Sequence, residues 1–157
     1  MTNPTPNAER RRWMSVLARA SAADIEQRLA ACPPLPTHIR LRGPETGLVM
    51  TRGRAGGGGA PFNLGEMTVT RCTVRNAGGQ VGHAYVAGRD ARRAELAACV
   101  DAAMQDSSLS DTLRQEVIEP LAHAQRVARD ATARRTAATR VQFFTMATMR
   151  TDARSGA

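Results

Sequence analysis

The stretch Met67-Thr68-Val69-Thr70-Arg71-Cys72-Thr73-Val74-Arg75-Asn76-Ala77-Gly78-Gly79-Gln80-Val81-Gly82-His83-Ala84-Tyr85-Val86-Ala87-Gly88-Arg89-Asp90 decides the fold. β-branched residues crowd its first half, and Asn76-Ala77-Gly78-Gly79 has the composition of a hairpin turn. Strands are therefore predicted over 67–75 and 81–87, paired antiparallel. Asp90 then reads as an N-cap, and Leu96, Val100 and Met104 (or Ala103) return at helical spacing. Connections this short leave no room for parallel crossovers, so the class is α+β.

Upstream, His38-Ile39-Arg40-Leu41-Arg42 alternates, Gly43-Pro44-Glu45-Thr46-Gly47 reads as a turn, and Leu48-Val49-Met50-Thr51-Arg52 reads as a further strand. The expected sheet has about four antiparallel strands. Before it, Trp13, Leu17 and Ala20 mark a first helix through about Arg19. Ser21 with Asp24 forms a capping-box-like start to a second helix carrying Ile25 and Leu29, and Cys32-Pro33-Pro34-Leu35-Pro36 stops it. This is an N-terminal helical hairpin. Beyond a break at 106–111, Leu113, Val117, Leu121, Ala124, Ala128 and Ala131 trace one stripe of a long C-terminal helix, in which Pro120 predicts a kink or junction. Val141 to Met146 reads as a terminal β-like segment. Residues 1–7 and 150–157 are expected to be disordered tails around one α+β domain, 8–149.

The composition is unusual in two ways. Of 157 residues 28 are alanine, while only Trp13, Phe62, Tyr85, Phe143 and Phe144 are aromatic, so the core must be lean. All 22 basic residues are arginine, and the net charge is +8. That charge is uneven: residues 37–89 carry seven Arg against Glu45 and Glu66, whereas residues 90–125 carry seven acids against three Arg. Such a reversal argues against a uniformly basic nucleic-acid surface. No apolar run approaches a membrane span. Arg10-Arg11-Arg12 before an apolar stretch imitates an export signal, but Trp13 to Ala18 is only six residues long. The expected location is cytoplasmic, with reduced cysteines. Cys32, Cys72 and Cys99 are too far apart in sequence for a zinc knuckle, and His38, His83 and His123 share no ligand spacing, so no metal site is expected.

Chemistry concentrates in Arg52-Gly53-Arg54-Ala55-Gly56-Gly57-Gly58-Gly59-Ala60-Pro61. Successive glycines can converge backbone N–H groups on an anion, and Arg52 and Arg54 can add forked donors to phosphate or phosphonate oxygens. Arg71 is a further candidate. The same glycines also suit a plain flexible turn or the close approach of a partner's backbone. Neither a Walker loop nor a dinucleotide fingerprint is present, because Pro61 follows and no helix begins there. Arg71-Cys72 and His83 lie on strands that the hairpin sets side by side, a geometry that can activate a thiol but more simply buries one. Glu66 is the acid expected to orient Arg54 or Arg71. No catalytic residue is assigned.

The gapless block Leu41-Arg42-Gly43-Pro44-Glu45-Thr46-Gly47-Leu48-Val49-Met50 with Arg52-Gly53-Arg54-Ala55, and then Pro61-Phe62-Asn63-Leu64-Gly65-Glu66-Met67-Thr68-Val69-Thr70-Arg71-Cys72, resembles the G-subunit family of the bacterial carbon–phosphorus lyase core complex, PhnG. Gly82 to Asp90, Ala137 to Val141, Phe143 to Met146, and Arg11, Trp13, Met14, Leu17 and Ala18 extend the resemblance over about 10–149. It implies an accessory subunit, without catalytic residues of its own, that joins the H, I and J subunits and the ATPase-like K and L subunits in phosphonate utilisation. The complex moves a phosphonate onto the ribose C1′ of ATP with release of adenine. ATP is then the complex's substrate, and this chain alone binds no cofactor. The I subunit is usually assigned the nucleosidase-like centre, and the J subunit the iron–sulfur radical chemistry. The competing reading is a small basic nucleic-acid-binding regulator, but the second helix offers only Arg28 against Asp24 and Glu26.

Overall fold

A computed structural model describes residues 6–54 and 59–139. Helices α1 (Pro6–Leu17) and α2 (Ala22–Leu29) precede strands β1 (His38–Gly53), β2 (Phe62–Asn76) and β3 (Val81–Ala87). Helices α3 (Ala91–Ala103) and α4 (Ser107–Leu113), a π-turn (Arg114–Ile118) and α5 (Glu119–Ala138) follow. The chain forms two compact units, residues 1–125 and 126–157. The α+β class holds, and so do the predicted caps. Ser21 Oγ accepts from the Asp24 N–H, and the Asp90 carboxylate accepts from the Arg93 N–H.

The sheet is antiparallel in the order β1-β2-β3. It has three strands because 38–42 and 48–52 are one strand, and Gly43 to Gly47 is not a turn. Register shifts between Arg40 and Arg42, and again between Arg42 and Glu45, mark bulges that absorb Leu41 and one residue of Gly43-Pro44. Proline lacks a donor, and β1 is an edge strand, where a bulge tolerates that loss. The β2–β3 turn stands where the sequence places it. Gly79 takes φ +87°, a left-handed geometry natural to glycine, and the Asn76 side chain accepts from the Gln80 N–H.

Alternation along β2 and β3 sends Cys72, Val74, Ala84 and Val86 to one face, all buried. Helix α3 covers that face, and it is buried nearly all round, from Ala94 through Ala103. Its alanines explain how. A Cβ on Gly82 would stand 1.9 Å from the Ala98 carbonyl oxygen, so helix and strand meet backbone to backbone. Trp13, Val16, Leu17, Ile25, Leu113 and Val117 complete the core.

The junction expected at Pro120 takes the form of a π-turn that joins α4 to α5 directly before the proline. The ladder widens one turn earlier, where the Glu119 N–H donates to the Arg114 carbonyl instead of to Gln115. A π-turn makes room for a ring that would strike the carbonyl four residues back. The predicted stripe is correspondingly cut short: Leu113, Val117 and Leu121 are buried, but Ala124 and Ala128 are exposed and Ala131 is half-buried. The break expected over 106–111 is shorter, since Asp106 caps α4 at once. The β-like segment 141–146 and both predicted tails, apart from Pro6 and Asn7 at the start of α1, lie outside the described residues.

Candidate functional site

β3 pairs with β2 only from Val69 to Arg75, whereas β1 and β2 stay paired out to Gly53 and Phe62. Beyond the Gly47–Val69 pair the sheet is therefore a two-stranded ribbon, Leu48–Gly53 against Phe62–Thr68. Its root is tied by Thr70, whose hydroxyl donates to the Gly88 carbonyl at 2.7 Å, lies 3.2 Å from the Thr46 hydroxyl and accepts from the Asp90 N–H at 3.2 Å. Every residue from Phe62 to Met67 is exposed.

Arg52 and Arg54 sit at the far end of this ribbon. Arg52 pairs in register with Asn63 and reaches the Pro61 carbonyl at 3.4 Å. Among the described residues neither arginine meets a carboxylate. Of the glycine tract, Gly59 is described, with φ +88°, and Gly56, Gly57 and Gly58 lie outside the described residues. Arg71 is not brought to them. It is eight residues along β2 from Asn63, roughly 26 Å at strand rise. Its Nε donates to Glu45 Oε1 at 2.6 Å, and Arg42 pairs with the same carboxylate. The hydrogen bond from Arg71 holds the Glu45 carboxyl below the ordinary range. Glu45, not Glu66, is thus the acid that orients Arg71.

Cys72 and His83 are not a pair. Register sets Cys72 against Ala84 and His83 against Thr73, so the thiol faces the core and the imidazole faces out. The Cys72 thiol donates to the Arg42 carbonyl at 3.5 Å, and burial raises its pKa. Burial pushes Cys99 up to about 12. Both are inert thiols rather than nucleophiles.

The most engaged polar group is one the sequence reading passed over. Asp101, on α3, is fully buried. Its Oδ1 accepts from Arg10 Nε at 3.2 Å and Trp13 Nε1 at 2.8 Å, and its Oδ2 accepts from Arg10 Nη2 and the His83 N–H, both at 2.8 Å. Arg10 Nη2 also reaches the Val81 carbonyl. One carboxylate therefore joins α1, α3 and β3. The signal was a lone acid inside Ala97-Ala98-Cys99-Val100-Asp101-Ala102-Ala103. A second tie runs from α3 to β1, where Glu95 takes a forked contact from Arg40 at 2.7 and 2.9 Å and a bond with His38 at 3.1 Å. The Arg40 bond, with His38 helping, lowers the Glu95 pKa.

The family described as "Phosphonate metabolism protein PhnG" matches residues 8–149. A Rhizobium meliloti (strain 1021) protein, the alpha-D-ribose 1-methylphosphonate 5-triphosphate synthase subunit PhnG, is 49% identical over 144 residues, covering 88% of each chain. With a match of that length and identity, the chain belongs to the PhnG family of phosphonate metabolism proteins.

Proposed function

We propose that the chain is an accessory, non-catalytic subunit of a ribose 1-methylphosphonate 5-triphosphate synthase within a carbon–phosphorus lyase complex. The 49% identity to a named subunit of that synthase carries the reading. In the reaction a phosphonate oxygen bonds to C1′ of ATP, the bond from C1′ to adenine breaks, and adenine leaves. The body of this chain supplies neither nucleophile nor base. Its buried thiols are held protonated, and four donors saturate its buried carboxylate. What it supplies is placement.

Its partners in this reading are the H, I and J subunits and the ATPase-like K and L subunits, in the cytoplasm, with ATP as substrate of the complex and no cofactor on this chain. No described helix is long and apolar enough to cross a membrane. Nucleic acid is not a partner: α2 carries Arg28 alone, and its Glu26 is taken up by Arg92 of α3. Arg52, Arg54 and Gly56 to Gly59 contact the phosphate-bearing substrate or the subunit that holds it, while Arg71, matched by Glu45, serves the sheet.

Adenine release from ATP and methylphosphonate tests the reading. The purified chain is expected to give none, and the reconstituted complex should lose turnover when this chain is omitted. Turnover by the chain alone at the rate of the complex would refute the accessory role.

A further inference from the structure

The ribbon exposes five large apolar side chains, Leu48, Met50, Phe62, Leu64 and Met67, each between 42% and 62% exposed. They lie on both of its sides. Thr46 and Thr70 bond to each other on the α3 side, so alternation puts Leu48 and Met50 on that side too. Met67 pairs with Val49 on the other side, where Leu64 lies over Gly53. A two-stranded ribbon has little stability alone, and among the described residues these apolar side chains stay open on both of its sides. A soluble protein seldom leaves so much apolar surface open unless something covers it.

We propose that the ribbon inserts into an apolar groove of another synthase subunit, one that closes over both sides and carries carboxylates where Arg52 and Arg54 arrive. This rests on the subunit reading above. Charge selects the occupant. The ribbon brings Arg52 and Arg54 against the single acid Glu66, and the whole chain is +8, so a second copy would set like charges together whereas an acidic rim would match them. The double-sided exposure calls for a groove rather than a flat face, because a flat partner would leave either Leu48 and Met50 or Leu64 and Met67 in water.

The experiment is co-purification of the tagged chain with the other synthase subunits, comparing wild type with the double variant Leu48→Asp/Leu64→Asp and with Ile39→Asp, an exposed apolar position on β1 outside the ribbon. Amide exchange over 48–53 and 62–68 is followed in the free chain and in the complex. The double variant should keep its melting temperature and lose capture by ~10- to 100-fold, as for central interface residues. Ile39→Asp should be captured like wild type, and the ribbon amides should slow in the complex. Normal capture of the double variant, or ribbon amides that exchange equally fast in the complex, overturns the proposal. A concentration-dependent dimer of the free wild-type chain that the double variant loses would assign the ribbon to a second copy and also overturn it. If the wild-type chain captures none of the subunits, the subunit reading itself fails.

Discussion

Strands β1 and β2 run through two regions that could hardly differ more. From His38 to Thr46, and from Thr70 to Asn76, they belong to a three-stranded sheet in which β2 and β3 bury one face against α3. From Leu48 to Gly53, and from Phe62 to Thr68, they carry the same kind of ladder with, among the described residues, no third strand paired to it. The ladder is continuous, yet only one half is packed. Each backbone hydrogen bond is worth about 0.5–1.5 kcal/mol net, so the body's firmness comes from burial and from Asp101, and the ribbon is carried by its root at Thr70. Changes in the body should therefore read out as stability, and changes in the ribbon as assembly or activity.

The sharpest test of that division is Asp101→Ala. It leaves Arg10, the Trp13 N–H and the His83 N–H without their acceptor, and should cost about 3–5 kcal/mol in chemical denaturation. A loss under about 1 kcal/mol would mean the carboxylate is not the joint described. Gly82→Ala comes next, at about 3 kcal/mol, because its Cβ would strike the Ala98 carbonyl. Its counterpart Gly47→Ala, at the ribbon's root with nothing within 4 Å, should change stability by less than about 0.5 kcal/mol. Equal losses at the two glycines would break the comparison.

A smaller effect distinguishes pH behaviour. Glu95 has a folded-state pKa below the ordinary 4.5, so its ties to Arg40 and His38 stabilise fully above that value. The contribution is lost as pH falls below 4.5 and through the lowered folded pKa. Being partly exposed, it should amount to no more than about 1 kcal/mol, and Glu95→Gln should flatten that part of the stability profile. Smallest of all on folding is the double change Arg52→Ala/Arg54→Ala, expected within about 0.5 kcal/mol of wild type. In the complex it should lower turnover by ~10- to 1,000-fold, since each forked contact to an anion is worth about 1–3 kcal/mol. Full turnover with both arginines removed would strip the ribbon's end of its role.

Much of this was legible in the sequence. The hairpin, the caps at Ser21 and Asp90 and the helical spacing of Trp13 and Leu17 are local, and local chemistry decided them; the first helix stops at Leu17, two residues before the expected end, so Ala20 packs from the turn that follows. Gly43-Pro44 misled because glycine and proline punctuate a bulge in an edge strand as readily as a turn. Cys72 and His83 looked adjacent because strand pairing was foreseen but its register was not, and with a period of two a shift of one residue moves a side chain to the opposite face. Arg71 found Glu45, across 26 residues, rather than the nearer Glu66, a choice made by the pairing of β1 with β2. Arg52 and Arg54 stand two apart in sequence beside the glycines, but nothing in their neighbourhood said that the sheet narrows to a ribbon before it reaches them. Asp101 was invisible for a similar reason: its partners lie on α1 and β3, and only packing assembles them.

The π-turn at Arg114–Ile118 sets the phase of the chain that follows it. It seats one extra residue in a single widened turn, so that Arg114 and Glu119, five apart, stand one above the other as residues four apart do in an ordinary helix. Leu121 and Ala122, which are buried, and Gln125, which donates to the Val16 carbonyl at 2.9 Å, therefore reach their seats one position later in the sequence than an unbroken ladder would bring them. Deleting one residue between 114 and 118 would close the ordinary ladder and leave those seats filled, whereas the same deletion just after the turn would shift every later side chain by about 100° around the axis.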